Sequence, residues 1–125
     1  MDHKELDAWK IAVDLSVEIY SITQSFPKEE IFGLVQQIRR SAISIPSNIA
    51  EGCARGSSKE TIHFLYVSLG SLAELETQII IASKLGFVNG IDELLIKLNK
   101  LKQVILGLIR YLCPVLKNVY TKQCV

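Results

Sequence analysis

The sequence predicts an all-α protein: an up-down-up-down antiparallel four-helix bundle whose second helix is kinked at Pro46. Apolar residues make up 49% of the 125 residues, and only 7% of the residues are aromatic. In four segments the apolar residues recur every three or four positions, which is the period of a buried helix face. Short turns separate the segments, and short links force neighbouring helices to run antiparallel. A chain of this length forms one domain without disulfide or metal support, so we predict a bundle over residues 1–118 and a frayed tail over 119–125.

The first helix is predicted over residues 4–23, where one apolar stripe comprises Ala8, Ala12, Leu15, Ile19 and Ile22. The segment QSFPK then breaks the pattern. Pro27 suits the first turn of a following helix, and Glu29 and Glu30 favour its positive N-terminal end. We therefore expect the second helix to begin near Pro27.

The second helix contains the stretch SAISIPSNIAEG, with Pro46 in its middle and Gly52 at its end. Its apolar stripe keeps its phase through the proline and comprises Leu34, Ile38, Ala42, Ile45, Ile49 and Cys53. An unbroken phase indicates one helix that bends and continues to about Cys53. The alternative is a fresh start, with Asn48 as N-cap and Glu51 as its capping-box partner.

The polar residues around Pro46 allow two interpretations. Proline removes the hydrogen bond to the carbonyl of Ala42, and Ser44, Ser47 and Asn48 are close enough to bond to the backbone groups that are freed or strained. Alternatively, they belong to a polar stripe that faces a partner subunit or a nucleic acid and comprises Gln37, Arg40, Ser44, Ser47, Asn48 and Glu51.

The third helix is predicted to begin after Ser57, which forms a capping box with Glu60, and to end at Gly86. Its stripe comprises Ile62, Leu65, Leu69, Leu72, Leu75, Ile79 and Ala82. The fourth helix is predicted to have Asp92 as its N-cap. Its stripe alternates steps of four and three, as in a bundle seam, and comprises Leu94, Leu98, Leu101, Ile105, Leu108, Leu112 and Val115.

The turn near Gly56 determines which residues of the second and third helices lie at the same level. In an antiparallel hairpin, residues equally distant from the turn face each other, which places Arg39 and Arg40 near Glu74. Because a guanidinium group can hold a carboxylate through two hydrogen bonds, we predict an ion pair between Glu74 and one of these arginines.

The charge pattern provides two groups of basic residues. The net charge is only +1, so the chain as a whole is not a polyelectrolyte binder. The candidate nucleic-acid-binding residues are Arg39, Arg40, Arg55 and Lys59 in one group and Lys97, Lys100 and Lys102 in the other. The alternative is an ordinary solvated helix face with a basic tail.

No pattern in the sequence indicates catalysis. His3 and His63 have no carboxylate or cysteine at metal-ligand spacing, and the segment GCARGSSKE does not fit a phosphate-binding loop. We predict a non-enzymatic protein with no catalytic residue, metal, cofactor or small-molecule substrate.

We predict a cytoplasmic protein that does not span a membrane. The best candidate span, residues 104–116, is interrupted by Arg110 and Pro114, and the charged N-terminus lacks the apolar core of a signal peptide. Three cysteines, Cys53, Cys113 and Cys124, form an odd number without CxxC spacing, which favours reduced thiols.

Several stretches together resemble the family of small four-helix bundle proteins encoded in intervening sequences of bacterial 23S ribosomal RNA genes, also labelled S23 ribosomal proteins. They are LDAWKIAVDL, IYSIT with FPKEEIFGL, QQIRRSAISIPSNIAEGCARGSSKE, FLYVSLGSLAELETQ and ASKLGFV, within residues 6–88. The resemblance implies a four-helix up-and-down bundle. Relatives of this fold include accessory proteins of diversity-generating retroelements, which resemble ring-shaped oligomers with basic surfaces that bind nucleic acid.

The resemblance implies a homo-oligomer, and a pentameric ring is the form that we expect. It also implies ribosomal or other structured RNA as the expected partner. The high apolar content also favours assembly. We expect apolar residues outside the main stripes to contribute to it, namely Trp9, Val13, Phe64 and Ile80. The alternative is a structural or protein-interaction module with no affinity for nucleic acid.

Overall fold

The computed structural model describes residues 1–113, and all regular structure in this part of the chain is helical. The four α-helices are α1 (Asp7–Thr23), α2 (Leu34–Ala54), α3 (Ser58–Lys84) and α4 (Asp92–Leu112). Two short 3₁₀ helices, His3–Glu5 and Lys28–Glu30, precede α1 and α2. The predicted all-α class with four helices is confirmed. The predicted tail over residues 119–125 lies outside the described residues.

The helices surround one apolar core. The contacts of α1 with α2, α2 with α3, α3 with α4 and α4 with α1 close the bundle, and the pair formed by α2 and α3 is the most extensive. Each helix directs one stripe inward, and burying each large side chain stabilises the fold by roughly 1.5–3 kcal/mol. The most deeply buried large side chains are Ile19, Ile38, Ile45, Ile49, Leu65, Leu75, Leu98, Leu101 and Ile105.

Helix α2 begins at Leu34, so the predicted start near Pro27 is wrong. Residues 28–30 form only one 3₁₀ turn, and Gly33 then leaves helical geometry with φ −115° and ψ −110°. The carboxylate of Glu30 accepts a hydrogen bond from the backbone N–H of Leu34 at 3.2 Å. Glu30 therefore precedes α2 and caps it with its side chain. The sequence pattern instead predicts Glu30 in the first turn of this helix.

The other helix ends follow the sequence closely. Ser57 caps α3 as predicted, since its hydroxyl accepts from the N–H of Glu60 at 3.2 Å. Gly86 follows the end of α3 with a φ of +81°, a conformation that glycine adopts without strain. Asp92 is the first residue of α4 and not its cap, because Ile91 occupies the N-cap position.

Helix α2 continues through Pro46 to Ala54, so the alternative of a fresh start at Asn48 is wrong. As predicted, a side chain near the proline bonds to the backbone: the amide of Asn48 donates to the carbonyl of Ser44 at 2.8 Å. The hydroxyl of Ser16 on α1 donates to the carbonyl of Ala12 in its own helix at 2.9 Å and also lies 3.2 Å from the carbonyl of Ala42, which Pro46 deprives of its usual helical donor. Repair of the helix therefore depends partly on a neighbouring helix.

Helix α3 is long and apolar enough, by length and composition alone, to cross a membrane. The predicted best candidate had been residues 104–116. The core helix of a soluble bundle meets the same criterion of length and hydropathy. Helix α3 contributes Leu65, Leu72 and Leu75 to the core.

Candidate functional site

A line of hydroxyl groups joins α2 to α3, and we call it the hydroxyl seam. It comprises Ser41, Ser44, Thr61, Ser68 and Ser71. The hydroxyls of Ser44 and Ser71 lie 2.8 Å apart, and that of Ser68 donates to the carbonyl of Ile45 at 3.0 Å. Further along, Thr61 donates to the carbonyl of Gly52 at 2.8 Å. From one bond to the next, the residue numbers increase along α2 and decrease along α3. The two helices therefore run in opposite directions.

The two helices approach most closely at Gly52. A Cβ atom at this position would lie 2.9 Å from Cβ of Phe64 and 3.1 Å from the carbonyl oxygen of Thr61. Only a residue without a side chain fits there. The sequence marked Gly52 as the exit of the second helix, and the close approach gives it a packing role as well.

At the other end of this helix pair a polar cleft of about 400 Å³ separates α2 from α3. We call it the α2–α3 cleft, and it is lined by Gln37, Arg40, Ser41, Ser44, Glu74 and Gln78. Three members of the predicted stripe, Gln37, Arg40 and Ser44, therefore come together with Glu74. The other three members, Ser47, Asn48 and Glu51, do not line the cleft.

The predicted ion pair to Glu74 is not formed by either arginine. Arg39 faces α1: its Nε donates to Oγ1 of Thr23 at 2.9 Å, and its guanidinium lies 4.4 Å from the centre of the Tyr20 ring. These contacts make Arg39 a bridge between α1 and α2. Arg40 and Glu74 line the same cleft, and within residues 1–113 neither side chain forms a hydrogen bond or an ion pair.

Two of the predicted nucleic-acid-binding residues are engaged by carboxylates. Arg55 contacts Glu51 at 2.6 Å, one helical turn away, and its guanidinium lies 5.1 Å from the ring of Phe64. Lys97 contacts Glu18 of α1 at 2.6 Å. This hydrogen bond, together with the charge of Glu18, raises the pKa of the Lys97 ammonium group.

The other predicted basic residues are exposed and spread over the molecule. Lys59 lies in the first turn of α3, and Lys100 and Lys102 lie on α4. Lys100 also lines a hollow with the acidic residues Asp14 and Glu18. One subunit does not gather the predicted residues into a single basic surface.

An apolar surface lies on the outer side of α1 and α2, and we call it the α1–α2 face. Two neighbouring hollows share Tyr20 and Ile43, and together with the apolar residues around them they define this face. Phe32 is 90% exposed and Val17 is 68% exposed. The apolar residues of the face are Val13, Val17, Tyr20, Ile31, Phe32, Ile43 and Pro46, and the hollow beside Phe32 is also lined by Gln36, Arg39 and Arg40.

Of the four residues expected to mediate assembly, only Val13 belongs to this face. Trp9 packs against the core and meets the ring of His3 at 5.2 Å, while Phe64 and Ile80 are only partly exposed on α3. The sequence does contain a signal for this face. Val17, Tyr20 and Phe32 are apolar residues that lie outside the main apolar stripes, as expected for an exposed apolar surface.

Within residues 1–113 no group of three or more His, Cys, Asp and Glu side chains could hold a metal ion. Cys53 is a buried free thiol, and desolvation raises its pKa, which suppresses the reactive thiolate. Cys113 is disulfide-bonded, so the expectation of three reduced thiols is wrong for this residue.

Comparison with known proteins identifies the family. The model of the family described as 23S rRNA-intervening sequence protein matches residues 4–107, which include α1, α2, α3 and most of α4. A search of curated proteins found no significant match. The family match covers more than half of the chain and contains the hydroxyl seam, the α2–α3 cleft and the α1–α2 face. The chain therefore belongs to the 23S rRNA-intervening sequence protein family.

Proposed function

We propose that this protein is a non-enzymatic bundle that acts by assembling with copies of itself through the α1–α2 face. The observation that carries the proposal is the exposure of several large apolar side chains there, above all Phe32 and Val17. Soluble monomers rarely leave extended apolar patches in water, and such patches usually mark an interaction site. Covering the face would remove these side chains from water.

Charge and symmetry support an assembly of identical subunits. A net charge of +1 produces little repulsion between copies of the chain. Identical subunits favour closed arrangements, which leave no apolar surface at an open end. We propose a closed ring, with a pentamer as the state to test, in a protein that works in the cytoplasm.

The assembly predicts different outcomes for two aspartate substitutions at equally exposed positions. Val17 on the α1–α2 face and Ile96 on α4 are both 68% exposed. Val17→Asp would bury an unpaired charge in the interface and should weaken association by at least about a hundredfold. Ile96→Asp should leave the oligomer unchanged. Light scattering and sedimentation of the full chain over a range of concentrations measure both.

Two results would contradict this prediction. The first is a monomeric parent protein at micromolar concentration. The second is an equal response to the two substitutions, which would mean that the α1–α2 face has no special part in association.

RNA binding is the second candidate function, and the charge pattern of α4 favours it. No acidic residue follows Glu93 in the sequence, and Lys100 and Lys102 are exposed without a carboxylate at ion-pair distance among the described residues. A few lysines per subunit contribute little at physiological salt, but symmetric repetition would concentrate them into a denser positive field. Structured RNA, including ribosomal RNA, is the partner that such a field would attract.

Replacing Lys100 and Lys102 with glutamine should reduce RNA affinity and its salt dependence. Each phosphate contact that is lost lowers the slope of log affinity against log salt by about one unit. Lys97→Gln is the matched control and should have a smaller effect, because Glu18 already engages Lys97. Binding titrations with ribosomal RNA fragments at several salt concentrations test this. A parent protein with no RNA affinity would instead support a pure protein-interaction module.

A further inference from the structure

The α2–α3 cleft contains two opposite charges that do not neutralise each other. Arg40 and Glu74 extend from facing helices into the same cleft, and within residues 1–113 neither has a hydrogen-bonding or ionic partner. We propose that this cleft binds a free α-amino acid with a polar side chain. Arg40 holds its carboxylate and Glu74 holds its ammonium group. Arg40 also lines one hollow of the α1–α2 face, so the Val17→Asp variant is needed to separate ligand binding from assembly.

The charges of the cleft favour a zwitterion over a simple ion. A phosphate or other anion bound to Arg40 would be repelled by Glu74, and a cation bound to Glu74 would be repelled by Arg40. A ligand that carries both charges satisfies both residues. Guanidinium and carboxylate also form the stronger, charge-assisted hydrogen bonds with such groups.

The walls of the cleft are held in place before any ligand arrives. The hydroxyl of Ser41, a residue only 5% exposed, lies 2.8 Å from Oε1 of Gln78. The hydroxyl of Ser44 lies 2.8 Å from that of Ser71 and accepts from the amide of Asn48 at 2.9 Å. These bonds already fix Ser41, Ser44 and Gln78, so a ligand would have to order mainly the side chains of Arg40 and Glu74.

The size and lining of the cleft indicate which amino acids fit. A volume of about 400 Å³ lies near the lower end of the range of small-molecule sites, which is roughly 300–1,000 Å³. All six lining residues are polar or charged, so an aliphatic ligand side chain would find no apolar wall. The amides of Gln37 and Gln78 and the hydroxyl of Ser44 suit a hydroxyl or amide side chain, as in serine, threonine, asparagine and glutamine.

Calorimetric titration of the full chain with these four L-amino acids tests the ligand class. We expect at least one of them to bind with a dissociation constant below about 10 mM. The N-acetyl derivative, which lacks the ammonium group, and the carboxamide derivative, which lacks the carboxylate, should each bind at least about tenfold more weakly. An absence of binding by all four amino acids, or equal binding of either derivative, would overturn the proposal.

Substitutions then locate the site. Arg40→Met and Glu74→Gln should each weaken binding at least about tenfold, whereas Arg110→Met and Glu93→Gln, at exposed positions on α4, should not. Because Arg40 and Glu74 are exposed and unpaired, the thermal stability of these variants should match that of the parent. Unchanged affinity in both cleft variants would overturn the assignment. Binding by the Val17→Asp variant would show that the cleft acts independently of assembly.

Discussion

Replacing Gly52 with alanine should destabilise the bundle by about 1–3 kcal/mol, whereas the same change at Gly70 should stabilise it by about 0.5–1 kcal/mol. Both glycines lie inside α-helices, so alanine improves helix propensity at both positions. The opposite signs of the two stability changes arise from the room available for a Cβ atom at each position. No atom lies within 4 Å of a Cβ added at Gly70, whereas one at Gly52 would lie 2.9 Å from Cβ of Phe64.

The steric strain that alanine would introduce at Gly52 cannot be relieved by a side-chain rotation alone. The added methyl group would also lie 3.1 Å from the carbonyl oxygen and 3.4 Å from the Cα of Thr61, which are backbone atoms of α3. Moving α3 away would lengthen the bond from Thr61 to the carbonyl of Gly52, a contribution of about 1 kcal/mol. Urea unfolding measures both variants. A Gly52→Ala protein as stable as the parent would contradict the close approach of α2 and α3 at this position.

Removing the hydroxyl of Ser16 should destabilise the protein by about 1–2 kcal/mol, because its one hydrogen is shared between the carbonyls of Ala12 at 2.9 Å and Ala42 at 3.2 Å. The loss should depend on Pro46. In a Pro46→Ala background the backbone N–H at position 46 can donate to Ala42 again. We therefore expect Ser16→Ala to cost about half as much in that background, which is a coupling of about 0.5–1 kcal/mol.

Thermal or urea unfolding of the two single variants and the double variant completes this cycle. Thr77→Ala is a suitable control, since its hydroxyl bonds only to the carbonyl of Ala73 within its own helix and is exposed. Its effect should stay within about 0.5 kcal/mol. Additive effects of Ser16→Ala and Pro46→Ala would show that Ser16 does not compensate for the proline.

The periodicity of the sequence predicted the helices and the passage of α2 through Pro46, because burial of a stripe leaves a direct trace in the spacing. The periodicity could not reveal that the hydroxyl of Ser16 would lie within hydrogen-bond distance of the carbonyl of Ala42. That contact depends on how α1 lies across α2, which no local pattern records. The start of α2 was misplaced for a different reason, since helix propensity and charge at Glu29 and Glu30 did not overcome the backbone turn at Gly33.

The arginine pair illustrates a further limit. Distance from the turn correctly placed Arg40 and Glu74 in one cleft. Adjacent residues on an α-helix point about 100° apart, so Arg39 and Arg40 face different neighbours although they lie at the same level. Arg39 reaches Tyr20 and Thr23 on α1. Direction explains why Arg39 does not reach Glu74, whereas Arg40 lines the same cleft as Glu74 without forming an ion pair.

The α1–α2 face was harder to predict from the sequence. Apolar stripes identify what a chain buries within itself, whereas this face consists of residues that remain outside those stripes. Val17 and Ile96 have equal exposure and similar chemistry. Only the neighbours that the fold brings beside Val17 make it part of a continuous surface.

The hydroxyl seam also determines how α2 and α3 can be aligned. Their apolar stripes repeat every three or four residues, so sliding one helix by a turn, about 5.4 Å, would still place Leu and Ile against one another. It would also move the hydroxyl of Ser68 away from the carbonyl of Ile45 and separate the hydroxyls of Ser44 and Ser71, whereas Thr61 would keep its second contact with the carbonyl of Ser57. Buried polar groups without partners are costly. The hydroxyls therefore select one alignment, where a purely aliphatic interface would allow several of similar energy.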